Sequence, residues 1–239
     1  MKYYTTIANT VANKLSSADT YRYTCLTFTP RKNGYTDSTF KQIAEININP
    51  EPELTIKKFV QRLKLTDILK IEETFFNGKK RNKYFITDEK INFRMVSSQL
   101  LKVDLQVELK GFLIQLFTLC LNNTFECNLS LNKIVELIKI SKPTAGKYLK
   151  VLLEKEMVFK TDSGYRLNPL YFLIGKTPKQ KQIEQIFLEN KGCEQLLRRF
   201  IKTDWKKINR PAEYWLSVVC GFTGKKVEKI EAGECLVTL

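Results

Sequence analysis

The feature that most constrains this chain is a nine-residue pattern that occurs twice. Thr55-Ile56-Lys57-Lys58-Phe59-Val60-Gln61-Arg62-Leu63 and Thr144-Ala145-Gly146-Lys147-Tyr148-Leu149-Lys150-Val151-Leu152 both read Thr, two residues, Lys, an aromatic, an aliphatic, two residues, Leu. Apolar positions at that spacing predict a helix with one buried face. Each copy then reaches an apolar pair, Ile68-Leu69 or Met157-Val158. Upstream, Phe40, Ile43, Ala44 and Glu45 match Leu131, Ile134, Val135 and Glu136 at one constant offset. The offset changes only across Asn47 to Leu54, where the first copy is two residues longer. Self-similarity with the length change confined to a connection is what a duplicated domain produces.

In the first copy, Ser17 begins a helix running to about Phe28, with Tyr21, Cys25, Leu26 and Phe28 as its apolar face. Residues 1–16 precede it as an arm or leading helix. Pro30 and Asn33-Gly34 mark a turn. A second helix, Thr39 to Ile46, is opened by a capping residue among Asp37, Ser38 and Thr39. The third helix, Thr55 to Leu65, buries Ile56, Phe59, Val60 and Leu63 and turns Lys57, Lys58, Gln61, Arg62 and Lys64 outward. Two strands follow about Asn77-Gly78, the strongest two-residue hairpin signal. Their register sets Leu69 against Ile86, Ile71 against Tyr84 and Glu72 against Lys83, with Lys79, Lys80 and Arg81 crowding the tip.

The second copy repeats the plan after a connector beginning Phe93-Arg94-Met95-Val96. A long apolar helix from about Val107 to Asn122 comes first, then one capped by Ser130, then one opened by Ser141-Lys142-Pro143-Thr144, with proline in the first turn. This last helix leaves Lys142, Thr144, Gly146, Lys147 and Lys150 outside. Its hairpin is shorter and has an acid, Asp162, at the tip. The expected fold class is mainly α with small β wings: an arm at 1–16, winged helix-turn-helix domains at 17–90 and 91–174, and a helical region at 175–239. In that last region, helices are expected around Ile183 to Phe187, Leu196 to Ile201 and Pro211 to Val219, and a hairpin about Ala232-Gly233.

Charge then narrows the function. Lys and Arg number 40 against 25 Asp and Glu, a net charge of +15 spread along the chain, which suits a polyanionic partner. Histidine is absent, so a Ser-His-Asp triad, an HExxH zinc site and a histidine metal motif for DNA nicking are excluded. No glycine-rich phosphate loop or nuclease-type carboxylate cluster stands out either, and the expectation is a non-enzyme with no cofactor and no metal. The six cysteines form no CxxC pair and read as buried free thiols of a reducing compartment. The longest apolar run, Phe112 to Leu121, is too short to span a bilayer, and a cytoplasmic protein without a membrane partner is expected.

From Phe93 to Lys160, the order Phe93-x-x-Val96, Leu100-Leu101, Leu109-Lys110-Gly111-Phe112, the Ser130 helix and Ser141-Lys142-Pro143-Thr144 through Val158 resembles the tandem winged-helix replication initiators of plasmids and phages. Tyr165-Arg166-Leu167-Asn168-Pro169 is similar to how the wing ends there. The resemblance implies binding of repeated origin sequences in double-stranded DNA without cutting it. Independently of the resemblance, the outer faces of the two third helices and the basic tip of the first hairpin give the expected DNA-contacting residues: Lys57, Lys58, Gln61, Arg62, Lys79, Lys80, Arg81, Lys142, Thr144, Lys147 and Lys150. The C-terminal region is expected to act as a helical cap, or as a contact for a homodimer or replication proteins. A transcriptional regulator and a protein-docking module stand as alternatives.

Overall fold

The computed structural model describes residues 3–31, 33–76, 78–86, 92–122, 124–174, 227–231 and 234–237. It has two compact units, Met1–Ile174 and Gly175–Leu239. In the first unit, the first half runs β1 (Tyr4–Ala8), α1 (Asn9–Lys14), α2 (Ser17–Phe28), β2 (Tyr35–Thr36), α3 (Phe40–Ala44), α4 (Glu53–Lys64), β3 (Lys70–Phe76) and β4 (Lys79–Phe85). The second half runs β5 (Phe93–Ser97), α5 (Val107–Thr118), β6 (Glu126–Cys127), α6 (Leu131–Ile138), α7 (Lys142–Glu154), β7 (Val158–Thr161), β8 (Gly164–Leu167) and β9 (Phe172–Leu173). The order helix, short strand, two helices, hairpin thus occurs twice. In both halves the second hairpin strand is central, β2-β4-β3 and β6-β8-β7.

The expectation of a mainly α fold is overturned: three three-stranded antiparallel sheets stand beside the helices, and the class is mixed α/β. The strands that escape the sequence are β1, β2, β6 and β9. Three of these are two residues long, too short for alternation of apolar and polar residues to register. The third sheet, β1-β5-β9, takes in residues expected to be an arm or leading helix.

Local chemistry sets the helix starts. Thr39 makes a capping box with Gln42, Ser130 accepts from the Lys133 amide, and Ser141 accepts from the Thr144 amide. Pro143 occupies the first turn of α7, where a missing donor does no harm. α3 is shorter than its pattern suggests and ends at Ala44.

The two halves share one core. α2 and α5 lie antiparallel: Ser17 near the start of one donates to Gln115 near the end of the other at 2.6 Å, and Lys110 reaches Tyr21. Gln115 Nε2 also donates to the carbonyls of Ala12 and Leu15, at 2.8 and 3.0 Å. Gly111 lets the backbones meet, since a Cβ there would lie 1.6 Å from the Ser17 carbonyl oxygen. β1 pairs antiparallel with β5, from Tyr4 against Ser97 to Ala8 against Phe93. Equivalent strands and equivalent helices therefore pair head to tail, an approximate two-fold relation between the halves.

In the second unit, β10 (Val227–Glu231) and β11 (Glu234–Val237) form an antiparallel ladder on either side of 232–233, where the sequence suggests a hairpin. The helices expected at 183–187, 196–201 and 211–219 lie outside the described residues.

Candidate nucleic-acid interface

α4 buries Ile56, Phe59, Val60 and Leu63, and its 3.6-residue period leaves Lys57, Lys58 and Gln61 in solvent. Arg62 is turned differently. Its Nε and Nη2 donate to Asp19 of α2 at 2.8 and 2.7 Å. Asp19 also accepts from Arg22 Nη1 at 2.8 Å, and Arg22 grips Glu51 through two bonds of 2.9 and 2.6 Å. Burial opposes ionisation of Asp19, but the bonds from Arg62 and Arg22 outweigh it and hold its carboxyl below the usual aspartate range. Arg62 therefore ties α4 to α2. The repeat places Val151 at the same position in α7, where it packs against the core.

The first hairpin keeps the expected register, with Ile71 opposite Tyr84 and Glu72 opposite Lys83. Its charges pair differently from that register. Glu72 forms its ion pair with Lys70 at 2.6 Å, and Lys83 lies 4.9 Å from the centre of the Tyr35 ring. Glu73 takes both Lys64, from the end of α4, and Lys80, from β4. Those two ammonium groups, Lys64 first, hold its carboxyl down at about 2. Lys80 is thus exposed yet partnered. Arg81 stands opposite Thr74. Lys79 is placed in β4 by its backbone, and its side chain lies outside what is described.

α7 presents a simpler face. Lys142, Lys147 and Lys150 are exposed, and among the described residues no carboxylate lies within ion-pair distance of them. Thr144 is half-buried and belongs to the cap, its hydroxyl 2.7 Å from that of Ser141. A Cβ on Gly146 would meet nothing within 4 Å, so no packing inside the protein calls for glycine there. Lys58 and Lys147 occupy the same position of the repeat, and both are exposed. The second hairpin contributes little charge at its tip, where Ser163 donates to Asn128 at 3.1 Å. Gly164 is required: its φ is +155°, and a Cβ would come 2.2 Å from the Cys127 carbonyl oxygen.

Sequence reasoning passed over Lys139. It ends α6 in the left-handed conformation, φ 61° and ψ 45°, and it is exposed in the turn leading into α7. Glycine or asparagine is the usual occupant of such a cap. The signal was present, since no glycine follows Ile138 where the helix has to stop. The roles of Arg22 and the buried Lys110 are not local in sequence: Arg22 joins Asp19, three residues away, to Glu51, 29 residues away, and Lys110 meets Asn47 and Tyr21 at separations of 63 and 89.

Among the described residues, Cys25, Cys120 and Cys127 are buried free thiols, and burial raises each above its ordinary value. No helix among the described residues is long and apolar enough to cross a membrane. No family model matches the chain, and neither a curated protein nor a solved structure is detectably similar to it.

Proposed function

We propose that the first unit is a sequence-specific double-stranded DNA-binding module, serving a plasmid- or phage-type replication initiator that marks origin repeats in the cytoplasm. The observation that carries this reading is the placement of Lys58 and Lys147. Equivalent by sequence, they are exposed and, among the described residues, without an ion-pair partner on the third helices of two halves with the same topology. A helix whose outer face carries such cations fits the major groove, where lysine bonds guanine O6 and N7 or a phosphate. Lys57 supports the α4 face, and Lys142 and Lys150 the α7 face.

The two faces are not equal. Arg62, Lys64 and Lys80 are held by carboxylates around α4, whereas the α7 lysines meet no carboxylate among the described residues. α7 therefore supplies most of the contact energy and α4 extends the site. The antiparallel pairing of the halves suits half-sites in inverted orientation, and joining both in one chain raises affinity through effective concentration.

Selection from a random duplex library at two salt concentrations tests this. Enrichment of two half-motifs about one helical turn apart is expected. Lys58→Ala with Lys147→Ala is expected to weaken the selected site by roughly 10- to 100-fold and to lower the salt slope by about 2. No enrichment, or unchanged affinity in the double variant, overturns the reading. Clustered repeats of the selected site at the native locus favour initiation, and a single copy beside a promoter favours transcriptional control.

A further inference from the structure

Phe75 is 77% exposed near the end of the first hairpin. The part of the hairpin that packs on the core ends at half-buried Ile71 and fully buried Tyr84, so Phe75 stands four residues further out, about 13 Å at ~3.3 Å per residue. Strand alternation puts Ile71, Glu73 and Phe75 on one face, with Tyr84, Asn82 and Lys80 opposite them. Glu73 on that face is held by Lys64 of α4, so the face carrying Phe75 is turned to the side of α4. The Lys64–Glu73–Lys80 cluster also fixes the angle between hairpin and helix, and with two ammonium groups around one carboxylate it is net positive. The second hairpin has the usual polar end, Asp162-Ser163. An aromatic projected past the core on a positive, braced hairpin has no role in folding that contacts among the described residues account for.

We propose that the end of this hairpin is a minor-groove wedge. Phe75 packs against the deoxyribose walls and enters between base pairs beside the segment that α4 contacts, unstacking one step and bending and unwinding the duplex. Apolar wedges on positively charged supports act this way in the minor groove, offsetting the unstacking cost with extra contact. The inference rests on the DNA-binding reading above. An anionic bilayer also attracts an aromatic among lysines, but a wedge aligned with the α4 face fits a groove beside that helix better than a flat surface.

The test is a topoisomerase assay on a relaxed closed-circular plasmid saturated with the full chain, with occupancy checked by mobility shift. The wild type is expected to change the linking number. Phe75→Ala is expected to bind within about threefold of wild type while losing most of that change, and Phe75→Met to restore it, since a flexible apolar side chain also wedges. Binding by the wild type without a linking change, or an unaltered change with Phe75→Ala, overturns the wedge and leaves the DNA-binding reading standing. Failure of the wild type to bind duplex at all overturns both. Phe75-dependent capture by phosphatidylserine vesicles, with no effect of Phe75→Ala on DNA, assigns the side chain to a membrane surface and overturns the wedge.

Discussion

At the scale of single residues, a basic side chain on these helices carries information only once its partner is known. Arg62 and Lys58 look alike in sequence, yet Arg62 serves an internal purpose that Val151 serves by packing in the other half. Its partner Asp19 lies 43 residues away, and nothing local announces the contact. Lys57, Lys58 and Lys147 were legible because helical periodicity alone decides that they face solvent. Lys139 offers a sharper case. A side chain in the left-handed region costs roughly 1 kcal/mol relative to glycine at a helix end. The turn before α7 carries that cost while exposing an ammonium group three residues before Lys142, where α7 begins. Lys139→Gly is therefore expected to stabilise the protein by about 1 kcal/mol in urea denaturation while weakening duplex binding about threefold or more. A stabilised variant with undiminished DNA affinity would remove Lys139 from the interface.

Among the elements, the pairing of α2 with α5 decides how the halves meet. Both helices are buried around nearly their whole circumference. α2 tolerates this despite its threonines because Thr24 donates to the Thr20 carbonyl at 2.8 Å and Thr27 to the Thr24 carbonyl at 2.7 Å. The apolar face legible in the sequence, Tyr21, Cys25, Leu26 and Phe28, is therefore only part of what the helix buries. The caps of α6 and α7 and the first hairpin register were legible because each is specified within a few residues. The pairing of β1 with β5, across some ninety residues, was not. Gly111→Ala tests the helix pair. The added methyl would collide with backbone at Ser17, which has no rotamer to change, so the loss is expected to reach about 3 kcal/mol or more. Gly146→Ala, in open space, is the control and should gain helix stability, about 1 kcal/mol. Equal stabilities for the two variants would mean that α2 and α5 do not approach as described.

For the molecule as a whole, the junction of the halves contains a charge without a carboxylate partner among the described residues. Lys110 is 0% exposed, its ammonium donating to Asn47 Oδ1 at 2.6 Å and to the Tyr21 hydroxyl at 3.3 Å. Those atoms belong to α5, the α3–α4 connection and α2, so only one relative placement of the halves satisfies the group. The orientation of α4 with respect to α7 depends on the same placement. Burial pushes the lysine down to about 8, against weak opposing pulls from Cys25 and Asp104. Below pH 8 the lysine is protonated in both folded and unfolded chains, and its full burial penalty, on the order of 3 kcal/mol, is present. Between pH 8 and about 10.5 the unfolded chain binds the extra proton, so this group's contribution to stability rises with pH. The cysteines act in the opposite sense. Cys25 is raised to about 12 and Cys127 to about 11, so the folded chain keeps their protons longer and their contribution falls as pH climbs past about 9. Wild type alone therefore hides the lysine effect, and the difference from Lys110→Met isolates it. The variant is expected to be more stable at pH 7 by about 1–3 kcal/mol, because Asn47 Oδ1 retains its 2.8 Å bond from Tyr21, and to lose that advantage steadily by pH 10.5. Urea midpoints for both proteins at pH 7, 8.5 and 10 measure it. An advantage that stays constant with pH would show that Lys110 keeps an ordinary affinity for its proton, and that the buried polar junction is not what fixes the two halves at a cost.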